Sequence, residues 1–364
     1  MATGWPMKTT YANGDVYSAS DVNDITGTIN LLTSTTLSQA SGKNYIINGG
    51  FDIWQRGTSF ASLSGNTLYT ADRWLFKRLD GTTGGTVSRQ ASTQTGFQYA
   101  MRVQRNSGNT GTGGLYVYNT IETINSIPLA GKTITLSFYA LKGANFSASN
   151  LEVYVGYGTG TDQQMGSTGF TGQATVLNTT QALTTTATRY SFTGTVPSTA
   201  TEVGMYLGFS PTGTAGAADY FDVSGVQIEI GSTATTFSRA GGNIQGELAA
   251  CQRDYFRNSA TNSSFTFFGN CFAYNTTTIM LVYTLPVTMR VKPATLETSG
   301  TAANYRTFSV AGSIALSSVP SLDTASENTV AITAVSSSVL TAGQGAALLA
   351  NNSTAAYLGF SAEL

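Results

Sequence analysis

Apolar and polar residues alternate with period two over most of the chain between Ser41 and Arg239. In the segment Thr133 to Ala140, Ile134, Leu136, Phe138 and Ala140 fall on one face, with Thr133, Thr135, Ser137 and Tyr139 on the other. Leu151, Val153, Val155 and Tyr157 repeat the pattern, as do Tyr99, Met101 and Val103, and again Val203, Met205, Leu207 and Phe209. Such alternation predicts half-buried strands. Clusters of Gly, Ser, Thr and Asn, such as SGNTGTGG at Ser107 to Gly114, punctuate them, and no long helical pattern intervenes. The expectation is an all-β fold whose centre, residues 41–240, is a jelly-roll β-sandwich.

In the last predicted strand, Phe221 and Val223 share one parity while Val226, Ile228 and Ile230 share the other. A β-bulge at Gly225 would keep both halves facing the core. Residues 241–257 read as a linker helix, with Ile244, Leu248, Cys251 and Tyr255 at spacings of four, three and four. That stripe is narrow, so it predicts a seam between symmetry-related copies. Residues 258–364 return to short strands divided by polar turns, with Pro286 and Pro293 at strand ends or edges, and predict a smaller C-terminal β-sandwich. At the other end, residues 1–40 predict an attachment segment. Ser18 or Ser20 would cap a short helix carrying Val22, Ile25, Ile29 and Leu32 on one face.

Composition narrows the chemistry. Only 10% of the 364 residues are charged, 18 basic against 19 acidic, and there is no basic run. A nucleic-acid footprint is therefore not expected. Histidine is absent, which removes the commonest general base and transition-metal ligand. Cys251 and Cys271 read as free buried thiols rather than a metal site or a bridge. No leader-like segment and no apolar run long enough to span a bilayer is read, so no membrane insertion is expected.

Against this neutral background the segment Asn44 to Trp74 stands out, opening NYIINGGFDIWQRGTSF and closing YTADRW. Phe51 and Trp54 have opposite parity, so both are buried only if the chain kinks, which Gly49 and Gly50 favour. Asp72 is expected to pair with Arg56 or Arg73 and hold the fold. A counterpart, YFDVSGVQIEIGSTATTFSR at Tyr220 to Arg239, brackets the same domain.

These two segments, with the strand GKTITLSFYA, resemble the carbohydrate-binding-module-like jelly rolls of tailed-bacteriophage tail fibres and receptor-binding proteins. ATTFSRAGGNIQGELAACQRDYF looks like the junction that follows such a module. LPVTMRVKPAT and the terminal GFSAEL are similar to the tip domain that comes after it, and the segment around SASDVNDI is similar to an N-terminal attachment segment. The resemblance implies a structural virion protein, a homotrimer made in the host cytoplasm. It would join other virion proteins through residues 1–40 and meet host-surface polysaccharide or lipopolysaccharide. A capsid-attached head fibre or decoration protein, and a non-viral carbohydrate-binding module, are the alternatives. It also implies a structural calcium ion near the joined ends of the jelly roll, for which Asp52 and Asp222 offer carboxylates; no other cofactor is expected.

Sugar rings present apolar faces and polar rims, so a glycan site needs flat aromatics beside amides and hydroxyls. Tyr116 and Tyr118 lie opposite Leu115 and Val117 in alternation, and Tyr154 lies opposite Val153 and Val155, which places them on outward faces. Tyr274 and Tyr283, with Tyr305, are the corresponding candidates in the C-terminal region. Catalysis would have to rest on carboxylates such as Glu152, Asp162, Glu202 and Asp222. No spacing singles out a pair, and GYGTGTD at Gly156 to Asp162 is not followed by a helical pattern, so no enzyme is expected.

Overall fold

The computed structural model describes residues 43–63, 65, 67–81, 83–310 and 312–364. The attachment segment expected over residues 1–40, with its helix of Val22, Ile25, Ile29 and Leu32, lies outside the described residues. Gly42–Leu364 forms one compact unit built around two main apolar cores. No helix among the described residues is long and apolar enough to cross a membrane.

The first core lies between two six-stranded antiparallel sheets. One runs β1 (Ser59–Leu63), β4 (Gly85–Ala91), β5 (Tyr99–Arg105), β12 (Tyr220–Ile230), β7 (Thr133–Lys142) and β10 (Thr188–Thr195). The other runs β2 (Leu68–Tyr69), β3 (Trp74–Arg78), β6 (Leu115–Ile121), β11 (Glu202–Phe209), β8 (Leu151–Gly158) and β9 (Ala174–Gln181). Consecutive strands alternate between the sheets often enough to give the expected jelly roll. Val103, Leu136 and Phe138 from one sheet meet Leu115, Val153 and Leu207 from the other, all essentially inaccessible. Each such side chain contributes about 1.5–3 kcal/mol when removed from water.

The phase change in β12 is a bulge. Ser224 pairs with Tyr139 and Gln227 with Ser137, so two residues oppose Phe138 alone. Gly225 supplies the left-handed φ of +60°, and both Val223 and Val226 stay in the core.

Asn44 to Gln55 does not form a strand. It folds as a plug held by side-chain hydrogen bonds. Asn48 and Phe51 adopt φ of 58° and 56°, and these turns bury Phe51 and Trp54 together despite their parity. The Phe51 and Trp74 rings stand 5.0 Å apart, while Trp54 Nε1 donates to the Phe51 carbonyl and Trp74 Nε1 to that of Asn48. Asn48 Nδ2 donates to the Ile53 and Asp72 carbonyls. Gly49 passes so close to β12 that a Cβ there would stand 2.0 Å from the Val226 carbonyl oxygen. Gly49→Ala is expected to cost about 1–3 kcal/mol by overpacking, read as a lowered urea midpoint; an unchanged midpoint would mean that this close approach is not needed.

The linker helix is shorter than the sequence pattern predicts. After α1 (Thr123–Ser126), α2 spans Ile244–Gln252, capped by the Asn243 side chain, which accepts from the Gly246 amide. Tyr255 and Phe256 belong instead to β13 (Tyr255–Ser259). The expected seam divides accordingly. Cys251 and Tyr255 are fully buried within the chain, whereas Ile244 and Leu248 are exposed. Glu247 faces inward and accepts from the Asn48 and Gly241 amides, so the helix caps the plug rather than lying on an axis by its whole stripe.

Two further antiparallel sheets enclose the second core. β13, β22 (Tyr357–Ser361) and β16 (Leu296–Thr298) form the smaller. The larger runs β18 (Gly312–Ala315), β17 (Tyr305–Ser309), β21 (Gly345–Ala350), β14 (Phe267–Ala273), β15 (Thr278–Thr284), β20 (Thr329–Val335) and β19 (Ser321–Ala325). Phe268, Leu281, Ile332 and Leu348 pack with Leu358 and Phe360. Cys251 and Cys271 are free and buried.

Candidate functional site

The outward face of the sheet containing β6, β11 and β8 is a tyrosine row. Tyr118 pairs with Tyr206, and Tyr206 with Tyr154, so three tyrosines lie side by side across neighbouring strands. Leu75 extends the row at one end and Asn178 at the other. Tyr154 and Tyr206 stack at 4.8 Å with planes 10° apart, and Tyr118 stands 5.3 Å from Tyr206. Beside this row runs a second one, Lys77, Tyr116, Gly208, Glu152 and Thr180.

Glycines make room for the rings. A Cβ at Gly208 would come 2.2 Å from the Tyr116 ring, and one at Gly156 would come 2.7 Å from the Tyr154 ring. The alternation Gly204, Tyr206, Gly208 on β11 therefore leaves bare backbone on which neighbouring aromatics lie.

The rim is polar. Tyr116 Oη donates to Glu152 Oε2 at 2.9 Å, and Ser210 Oγ donates to Glu152 Oε1 at 2.7 Å. The hydroxyls of Tyr118 and Tyr206 have no hydrogen-bond partner among the described residues. Burial pushes the Tyr116 hydroxyl up to about 12 and raises Tyr118 and Tyr206 as well, so all three stay protonated and can donate at neutral pH. One end of the face is covered by the turn between β8 and β9, whose Met165 and Phe170 pack on it, while Gln164 Nε2 donates to Tyr69 Oη at 2.7 Å. Tyr116, Tyr118 and Tyr154 are consequently only 6–9% exposed, and the open part centres on half-buried Tyr206 with Lys77, Glu152 and Ser210.

Three of the five tyrosines singled out in the sequence thus meet on one face. Their outward placement holds, but the covering turn buries more of them than alternation implies. Tyr274, 61% exposed, and Tyr283 lie elsewhere, in the C-terminal region. Tyr283 stacks on Phe360 at 5.5 Å, and Tyr305 is buried with its hydroxyl donating to the Tyr357 carbonyl. Tyr206 was not singled out. Its signal is the Gly-Tyr-Gly alternation opposite Met205 and Leu207.

The remaining charges hold structure. Asp52 pairs with Arg239 at 2.9 Å, and Asp222 takes Arg102 through both oxygens at 2.7 and 2.9 Å. The two carboxylates suggested for calcium are therefore each committed to a guanidinium, and among the described residues no group of three or more acidic or cysteine side chains is placed to hold a metal. Asp162 pairs with Arg290, and Glu202 accepts from the Gln163 amide.

Asp72 does not make the expected ion pair. It accepts from the Gln55 amide and side chain instead. Arg73 reaches past it to Asp254, 3.0 Å away, and to Glu363, while Arg56 pairs with Glu363 at 3.1 Å and stacks 3.4 Å above the Tyr255 ring. Arg290 donates to the Ala362 and Glu363 carbonyls. The arginines of the opening motif thus join the jelly roll to Asp254, just before β13, and to Glu363, just after β22. Burial pushes the Asp72 carboxyl up to about 6 and that of Asp254 up to about 7. A cavity of about 270 Å³ bordered by Arg73, Asn119, Glu122 and Arg253 lies at this joint, apart from the tyrosine face.

No protein-family model and no curated protein matches the chain. Solved structures similar to it share about half its length. They include the enzymatically active domain of tailspike protein 4 of bacteriophage CBA120, at 14% identity over 52% of this chain and 21% of that one, TM-score 0.32. The CBM22-1 xylan-binding domain of Paenibacillus barcinonensis Xyn10C is similar at 15% identity over 48% and 98%, TM-score 0.30. TmCBM61 in complex with beta-1,4-galactotriose is similar at 8% identity over 52% and 99%, TM-score 0.31. The chain spans about a fifth of the tailspike domain and nearly all of each binding module.

Proposed function

We propose that this chain is a glycan-binding structural protein of a tailed-phage fibre, which meets host-surface polysaccharide on the tyrosine face. The observation that carries the reading is the cross-strand row Tyr118, Tyr206, Tyr154, seated beside glycine backbone, open at Tyr206 and edged there by Lys77, Glu152 and Ser210. Apolar ring faces meet the apolar faces of sugars, and the free hydroxyls and the Glu152 carboxylate meet their rims.

Binding rather than catalysis fits the acidic groups, since Glu152, Asp162, Glu202 and Asp222 each already engage a donor of the protein. The virion setting is supported by the sequence resemblance of the two bracketing motifs and of the C-terminal region. In this reading residues 1–40 attach the fibre and several copies assemble, three in the fibres it resembles.

The test is a panel of bacterial capsular polysaccharides and lipopolysaccharides presented to the full chain. Tyr206→Ala is expected to weaken retention on the bound glycan at least tenfold with the circular dichroism unchanged and a modest fall in melting temperature, because the ring also packs on Tyr116, Tyr118 and Tyr154. Equal retention by the variant, or no retention by the parent chain, would overturn the assignment. Electron cryomicroscopy of the particle separates a tail position from a capsid one, and absence from any particle favours the non-viral module.

A further inference from the structure

We propose that the cavity between the end of β6 and α2 is a second binding site, one that takes a single neutral sugar residue. It lies apart from the tyrosine face and does not depend on that reading. The cavity is bordered by Asn119 and Glu122 at the end of β6, by Tyr45 in the plug, and by Ala250 and Arg253 at the C-terminal end of α2. Asn119 has the inward parity of Trp74 and Met205, its partners in register, whereas Tyr118 beside it points outward. One strand thus serves the two sites with opposite faces.

The walls hold hydrogen-bonding groups that the protein leaves unmatched. Glu122 is 3% exposed and its Oε2 accepts from Arg253 at 3.0 Å, but Oε1 has no partner among the described residues. Arg73, which also borders the cavity, sends its terminal nitrogens to Asp254, Glu363 and the Thr120 carbonyl, and its Nε likewise has no partner. A buried acceptor and a buried donor left open on one cavity are unfavourable, and a ligand that makes both bonds relieves the penalty. A hydroxyl both donates and accepts, so a ring carrying adjacent hydroxyls satisfies the two together.

Charge and size narrow the ligand further. Arg253 is balanced by Glu122, and Arg73 by Glu363 and Asp254, so the wall offers neither an anion nor a cation an unpaired partner. A neutral ligand loses nothing by this. The volume of about 270 Å³ is roughly nine waters' share of the liquid and falls below the usual range of pockets for drug-sized molecules. It has room for one sugar ring and not for a chain of them. Tyr45 supplies an apolar wall for the C–H groups of such a ring. Exposed Asn125 and Arg253, whose side chain is 40% exposed, mark the way in from solvent.

Saturation-transfer NMR on the full chain, with D-glucose, D-galactose, D-mannose and L-rhamnose as probes, tests this. At least one is expected to bind, and the charged sugars glucuronate and glucosamine are expected to bind at least tenfold more weakly than the best of them. Ala250→Leu narrows the cavity from the helix side without removing a hydrogen bond, and is expected to abolish binding with circular dichroism unchanged. Glu122→Gln is expected to weaken binding at least tenfold, since an amide cannot offer one oxygen to Arg253 and a second to the ligand. No binding by any of the four probes, as for a cavity that holds only water, overturns the proposal. So does full binding by Ala250→Leu or Glu122→Gln, or equal binding of the charged sugars. Loss of binding in Tyr206→Ala would move the sugar to the tyrosine face and overturn it as well.

Discussion

Arg73→Met is expected to destabilise the protein by about 3–5 kcal/mol, the loss typical when one partner of a buried ion pair is removed. Arg73 is 2% exposed, and its guanidinium sits between Asp254 and Glu363, whose side chains are 0% and 4% exposed. Without it, Asp254 keeps only Arg290 at 3.7 Å and Glu363 only Arg56 at 3.1 Å in a water-excluded joint, and the Thr120 carbonyl loses its donor. Urea unfolding measures the effect. The first transition should move to lower urea, with the C-terminal region separating from the jelly roll before the sandwich melts. Arg102→Met provides the contrast, since its pair with Asp222 is partly exposed and should contribute about 0–1 kcal/mol. A cost below about 1 kcal/mol for Arg73→Met would show that the joint does not depend on this charge.

Stability is expected to fall as pH rises from about 4 to about 7. The folded Asp254 carboxyl is held up at about 7 and Asp72 at about 6, against an ordinary value of 3.8, so the folded chain keeps protons that the unfolded chain releases. Their contribution is complete below the unfolded value and is lost as pH climbs through the folded one. Arg73 is shifted upward too, which at first opposes a protonated Asp254. Arg73 stays charged beside Glu363, and although Arg73 and Arg290 both lie near Asp254, burial remains the largest influence on its carboxyl. Glu202 and Glu247 are also raised, chiefly by burial, and act in the same direction. Melting temperatures at pH 5 and pH 8 check this, with the drop expected to shrink in Asp254→Asn, whose amide carries no titratable proton. A parent melting temperature that is flat or rises over that interval, or an unchanged drop in the variant, would sink the account.

Much of this architecture was legible beforehand because period-two alternation is local. The faces of β7, β8 and β11, and the bulge at Gly225, follow from which neighbours are apolar, and steric rules allow few other answers. The helix seam was only partly legible for the same reason. A spacing of four, three and four says that residues can share a face but not what meets it, and Glu247, hydrogen-bonded to Asn48, decides that the helix turns inward. The tyrosine face was half legible. Alternation marked Tyr116, Tyr118 and Tyr154 as outward, but Tyr206 gains its role only when β11 comes to lie between β6 and β8.

The sequence by itself determined an all-β chain with a bulged closing strand, free thiols, and little charge, because each of these rests on composition or on neighbours one or two residues apart. Only the tertiary structure decided which charges meet and which rings form a surface. Arg73 finds Asp254 and Glu363 rather than adjacent Asp72, and three tyrosines from three strands become one row. Both outcomes depend on strand order and on the fold of the plug at Asn48 and Phe51, where a buried charge must take whichever partner shares its water-excluded joint, however far away in sequence that partner lies.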